Sequence, residues 1–177
     1  MKENTRKTVW AALCLALAIV LPFLTGQIPQ IGGMLSPMHL PVFLCGFACG
    51  WQWGIAVGVI APLMRSMLFG MPPMFPSAVA MALELAAYGF LSGFLYRKLP
   101  KKPMYIYVAL IAAMLFGRIV WGLARLAFAG LQATEFTLPM FLAGAVTNAV
   151  PGILVNLILT PILVRILERT KLIQASS

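Results

Sequence analysis

Long apolar runs, broken only by single ionised residues and by short clusters of Lys, Arg, Gly and Pro, constrain this chain more than any other feature. Several runs reach the roughly 20 residues that a helix needs to cross the hydrocarbon core of a bilayer. Backbone polar groups in that core must be satisfied within the segment, so runs of this length fold as helices. Of the 177 residues, 62% are hydrophobic and 10% charged, whereas a soluble domain holds roughly 45–50% apolar and 25% charged residues. The sequence therefore reads as an all-α integral membrane protein, a single transmembrane domain over residues 1–177 forming a compact bundle of six transmembrane helices.

Four ionised residues lie inside apolar sequence: Arg65, Glu84, Arg118 and Arg125. At the centre of a spanning helix such a group costs about 2.5–3.5 kcal/mol, so it normally faces a bundle interior or wet cavity and marks a functional site. Arg118 and Arg125 are close to two helical turns apart, which puts them on one face with Trp121 and Gly122 between them. One helix thus offers two guanidinium groups flanking an indole. A structural role competes at each position. Arg118 and Glu84 can bridge each other without a ligand, Arg65 and Arg125 can reach lipid headgroups, and Asn148 can bond a neighbouring span. His39, the single histidine, stands just before Pro41 at a helix start and is a further candidate for ligand contact.

The formal charge of +9 comes from 13 Lys and Arg against 4 Asp and Glu. The basic residues fall in short segments between apolar runs, the pattern of bilayer topology rather than of a nucleic-acid footprint, and no nucleic-acid partner is expected. Cys14, Cys45 and Cys49 sit in apolar segments, odd in number and without metal-ligand spacing, and read as small packing residues. Lys2 to Lys7 with the apolar run that follows resembles a secretion signal superficially. That run is long for one and no small-residue cleavage site follows, so it reads as a retained span.

The first span covers about residues 8–24, with Ala12 and Ala16 on one face where another helix backbone can approach. Residues 25–38, rich in Gly, Pro, Gln and Ser and lacking Lys and Arg, read as a long outer loop. Residues 39–69 are either one tilted helix or two short ones turning at Gly50-Trp-Gln-Trp-Gly54. With two, Arg97-Lys98-Leu-Pro-Lys101-Lys102 returns to the side of Lys2, Arg6 and Lys7; with one, it falls outside against the positive-inside rule. Two helices, 39–50 and 53–69, are therefore expected. Gly46, Gly50, Gly54 and Gly58 suit a tightly packed hairpin, and Trp51 and Trp53 suit an interfacial turn.

A breaker-rich loop at 70–76 precedes a fourth span at 77–96 that holds Gly89-x-x-x-Gly93. The fifth span is expected at 104–129 and the sixth at 138–167, bent by Pro151 and Pro161. Both termini then lie in the cytoplasm, and no Lys or Arg lies in an outer loop. Arg65, Glu84, Arg125 and His39 fall in the outer half, with Arg118 and Asn148 about 15 Å from the outer loops. A pocket open to the exterior, lidded by 25–38 and 70–76, is the expected site.

No G-x-S-x-G, H-E-x-x-H or Gly-rich phosphate loop with a Lys occurs, so no hydrolase chemistry, ATP site, metal or cofactor is assigned and the chain does not read as an enzyme. Any ATP that drives transport would be bound by another subunit. Because a lone intramembrane carboxylate can relay protons, a stand-alone proton-coupled carrier using Glu84 is the alternative function.

With these elements placed, the chain resembles the substrate-binding (S) components of energy-coupling factor (ECF) vitamin transporters. The likeness covers nearly the whole chain. It rests on size, six helices with both termini inside, the long loop after the first helix, and Ala12-x-x-x-Ala16. It rests also on Pro37-Met-His-Leu-Pro-Val-Phe-Leu-Cys-Gly-Phe47 and Ile60-Ala-Pro-Leu-Met-Arg65-Ser66. The resemblance implies capture of a water-soluble vitamin or precursor outside a bacterial plasma membrane. It implies docking through the first helix, Ala12 and Ala16 above all, onto a membrane coupling subunit that carries two cytoplasmic ATPases, and toppling within the bilayer to deliver substrate. It also implies a pocket from the first loop and the outer halves of helices four to six. A cationic pocket suits a carboxylate or phosphate on Arg118 or Arg125, with Trp121 and Tyr88 covering a ring or apolar portion. Pantothenate is favoured and a B6 vitamer is next.

Overall fold

A computed structural model describes residues 3–25, 37–100, 102–131, 137–144 and 149–170. Among these residues all regular structure is helical. In chain order come α1 (Glu3–Val20), closed by a 3-10 turn (Leu21–Thr25), α2 (His39–Cys49), α3 (Trp51–Phe69), a π-type turn (Met74–Ala78), α4 (Val79–Lys98), α5 (Pro103–Leu131), α6 (Leu138–Leu142) and α7 (Val150–Arg169). Glu3–Leu24, Trp51–Phe69, Met74–Lys98, Pro103–Leu131 and Val150–Arg169 are each long and apolar enough to cross a membrane. Helix α2 has 11 residues and rises only about 16 Å, roughly half the hydrocarbon thickness. The exterior is apolar: Met67 is 75% exposed, Leu115 64% and Leu123 62%. A surface of that kind is stable against lipid rather than water.

Helix α4 is the centre of the bundle. It is apolar nearly all round and buries Ala80, Leu85, Ala87, Gly89, Gly93 and Tyr96 against α2, α3 and α5, as expected of a helix packed against several others and lipid. The glycine series that suggested a hairpin of α2 on α3 instead seats both of them on α4. A Cβ placed on Gly54 would lie 2.5 Å from the Gly89 carbonyl oxygen, and one on Gly93 would lie 2.7 Å from that of Gly46. Backbones this close admit only glycine at the crossing. Gly50, at φ +98°, makes the turn between α2 and α3 as expected.

The helix ends sort into two levels. At one, the Cys49 thiol donates to the Lys7 carbonyl at 3.5 Å, Arg97 donates to the Cys49 carbonyl at 3.2 Å, and Tyr96 donates to Glu168. This end collects the start of α1 and the ends of α2, α4 and α7, with Arg6, Lys7, Arg97, Lys98, Arg165 and Arg169. At the other, Phe23 meets Phe69 and Phe75 meets Phe128, joining the ends of α1, α3 and α5 to the turn before α4. The short α2 ends at the basic end with Cys49 beside Lys7 and starts at the depth of Glu84, beside which His39 lies.

Two boundaries differ from the sequence expectation. α1 begins at Glu3 rather than about residue 8 because Glu3 and Lys7 pair across one turn at 2.5 Å, so its polar start continues the helix. Within the expected rod at 138–167 the described residues hold two helices. α6 ends at Leu142 and α7 begins at Val150 with Pro151 in its first turn, where a missing N–H costs no helical bond. Pro161 does lie inside α7.

Candidate functional site

Glu84 is 2% exposed on the central helix, about three turns above Tyr96. Its Oε1 accepts from Arg118 Nη1 at 2.8 Å and from the Tyr88 hydroxyl at 2.6 Å, with His39 Nε2 3.7 Å away. The last distance is within ion-pair reach but long for a hydrogen bond. Helical periodicity explains the assembly. Tyr88 follows Glu84 by one turn on α4 and therefore shares its face. Gly117 on α5 leaves room for the Tyr88 ring, since a Cβ there would meet ring carbon Cε1 at 2.2 Å, and the next residue, Arg118, is thereby brought over Glu84. Phe43 stacks on the Tyr88 ring at 4.8 Å and holds α2 in place, and the His39 ring lies 5.2 Å from it. Three helices thus converge on one carboxylate.

The cluster is closed but not saturated. The Arg118 side chain is 18% exposed, and its buried Nε has no hydrogen-bond partner among the described residues. A buried N–H left unmade costs about 1–3 kcal/mol; a carboxylate or phosphate would satisfy it with a charge-assisted bond. One turn along α5, Trp121 stacks on Phe141 of α6 with ring centroids 6.3 Å apart, and Gly144 passes beside the same indole. Arg125 is half-buried a further turn along and is itself engaged with a partner.

Arg65 is not part of this cluster. It is 4% exposed at the opposite end of the bundle from the basic residues, donating to the Ile19 carbonyl at 2.8 Å with its guanidinium carbon 5.1 Å from the Phe23 centroid and 5.5 Å from that of Phe69. Ile19 is in the last turn of α1, where carbonyls lack helical partners and favour a cation. Asn148 lies outside the described residues, as does most of the loop expected as a lid at 25–38. Ala12 and Ala16 lie on the exposed side of α1, while Ala11, Cys14 and Ala18 face the bundle.

A second polar pair was not anticipated. Asn156 is 2% exposed and Thr160 is fully buried one turn later on α7. Asn156 Nδ2 donates to the Gly152 carbonyl at 2.8 Å, but its Oδ1 and the Thr160 Oγ1 have no hydrogen-bond partner among the described residues. Tyr96 and Glu168 are bonded, and Glu84 and Asn156 each precede one of them by the same number of residues on helices running toward the same end. Both therefore sit about 18 Å above that bond. The signal, an Asn and a Thr spaced by one turn within an apolar run, was present in the sequence.

Apolar exterior, buried ionised cluster and helical bundle together define a multi-pass membrane protein with an internal polar site. The chain belongs to the family of ECF transporter substrate-specific components, whose family model matches residues 6–164. It is accordingly a membrane substrate-specific subunit of an ECF transporter, and membership brings association with the other components of the ECF module. Comparison with curated proteins and with solved structures gives no match.

Proposed function

We propose that this chain binds a small water-soluble vitamin or precursor bearing a carboxylate or phosphate, pantothenate first and a B6 vitamer second, with Arg118 as the anion contact. The observation that carries the reading is the Arg118 guanidinium, oriented by Glu84 yet keeping a buried Nε–H to offer. Trp121 and Tyr88 flank that group along α5 and α4 and supply faces for a ring or apolar portion. His39, Arg125 and Asn148 complete the proposed site. Arg65 belongs to it only if the end of α1 rearranges around ligand.

The chain makes six passages between its two ends, and the basic end is cytoplasmic. The clustering of Arg6, Lys7, Arg97, Lys98, Arg165 and Arg169 at that level supports this orientation. The site then lies away from the cytoplasmic end, where an importer of scarce solutes in a bacterial plasma membrane would receive them. Ala12 and Ala16, exposed on α1 beside Leu13 and Leu17, provide a low-relief stripe for the membrane coupling subunit, which carries the two ATPases.

Replacing Arg118 by Ala would strand Glu84, so Arg118→Lys is the cleaner probe: it keeps a cation near the carboxylate but loses the planar fork and Nε. Isothermal titration of pantothenate and pyridoxine onto purified protein should show at least about tenfold weaker binding in the variant, a loss of about 1.4 kcal/mol. Unchanged affinity removes Arg118 from the site. Mass spectrometry of ligand released from the purified wild-type chain identifies the vitamin directly.

A further inference from the structure

At the basic end, a cleft of about 180 Å³ opens where α4 passes into α5 beside the end of α7. It lies outside the cluster around Glu84, roughly the length of three helical turns away. Its volume is below the roughly 300–1,000 Å³ of sites that enclose drug-sized ligands, so it does not suit a vitamin. Its walls divide by chemistry. Leu99, Pro103 and Ile106 are apolar, Tyr96 and Tyr105 present phenol rings, and Lys102 and Arg165 are exposed cations at the rim. Glu168 contributes one carboxylate, which accepts from the Tyr96 hydroxyl. Counted as ionised, the described lining residues bring two cations against one acid, +1.

The depth is set by the chain. Pro103 is the first residue of α5, while Arg165 and Glu168 are in the last turns of α7, so the cleft sits where spanning segments emerge into the headgroup layer. Basic pockets between spanning helices on the cytoplasmic side are suited to anionic lipid headgroups. We propose that this cleft is a binding site for one anionic phospholipid, the phosphate held by Lys102 and Arg165, the glyceryl part against Tyr105 and Pro103, and a headgroup hydroxyl donating to Glu168. A headgroup carrying −1 matches the cleft charge, and its acyl chains continue onto the adjacent apolar exterior where Tyr107, Val108 and Ile111 are exposed. The proposal does not depend on the identity of the transported vitamin.

The test uses the full chain in nonionic detergent with phosphatidylglycerol as probe. Native mass spectrometry should show one retained phosphatidylglycerol, and the lipid should raise the unfolding midpoint by about 5 °C. Phosphatidylcholine, phosphatidylethanolamine and free glycerol phosphate should each give less than a quarter of that shift. Lys102→Gln with Arg165→Gln should reduce retained lipid about tenfold, whereas Lys102→Arg should retain it. Lys98→Gln, whose ammonium lies over the Phe94 ring at 4.7 Å and outside the cleft, should also retain it. Three results overturn the proposal: an equal shift with glycerol phosphate, which assigns the cleft to a free phosphate; equal retention of phosphatidylethanolamine; or a double variant that keeps its lipid but fails to co-purify with the energising subunits, which assigns the cleft to protein docking.

Discussion

Arg65 and Arg118 occupy similar sequence, each a lone arginine in an apolar run, and the bundle treats them in opposite ways. Arg65 is sealed between two phenyl rings and gives its charge to the carbonyl end of α1. Arg118 meets a carboxylate on another helix, stays partly open and keeps a spare donor. A helix terminus carries only about half a charge and fixes the cation to the backbone. A carboxylate neutralises it fully and leaves the rest of the fork free to act. In this bundle Arg118 is paired with a side chain that can re-pair and Arg65 with a helix end that cannot, so a ligand role at Arg118 and a structural one at Arg65 are the contrast to be tested.

The largest effect should follow removal of the acid. Glu84→Leu leaves Arg118 buried without its counter-charge, a change that costs roughly 3–5 kcal/mol for a sealed pair. With Arg118 18% exposed, about 3 kcal/mol is expected, lowering the unfolding midpoint by about 6–12 °C. Glu84→Leu combined with Arg118→Met and Tyr88→Phe, which also removes the hydroxyl that donates to Glu84, should recover most of that loss while abolishing binding, because apolar side chains can replace a buried ion pair without penalty. Failure to recover would show that the bridge is not what Glu84 contributes. Arg65→Leu comes next. It removes one charge-assisted bond worth about 1.5–3 kcal/mol and should shift the midpoint while leaving vitamin affinity within about twofold. A tenfold loss of affinity would place Arg65 in the site after all and collapse the contrast. Arg118→Lys is the mirror case, with little change in midpoint and a large change in affinity.

The fold was legible in part, through rules that a bilayer imposes. The division of 39–69 into two helices followed from the position of Arg97 and Lys98 relative to Lys7, and the structure brings Arg97 onto the Cys49 carbonyl at that same end. Pairing of Glu84 with Arg118 was one of the alternatives open from the sequence, because two unlike charges in a low dielectric seek each other. Partners that are backbone rather than side chain were not legible. The Ile19 carbonyl that holds Arg65 and the Gly89 carbonyl that receives Gly54 have no signature of their own. Nor was the start of α7 at Val150, since Pro151 reads equally from sequence as a kink or as a residue of a first helical turn. The expected roles of Asn148 and of the 25–38 loop fall on residues outside those described.

Asn156 gives the finest test of the contrast, because it fits neither type. Its Nδ2 is tied to its own helix, as a joint would be, while its Oδ1 is buried and unmet at the depth of Glu84, as a ligand contact would be. Asn156→Leu keeps the branching and number of side-chain heavy atoms and removes a buried acceptor whose hydrogen bond is missing, so stability should change by less than about 1 kcal/mol, or rise. If the acceptor serves ligand, titration should show a several-fold loss of affinity, smaller than for Arg118→Lys because a neutral hydrogen bond is the weaker interaction. If affinity is unchanged and the midpoint rises, Asn156 is a helix-packing residue, and the ligand-competent centre is confined to the side chains gathered around Glu84.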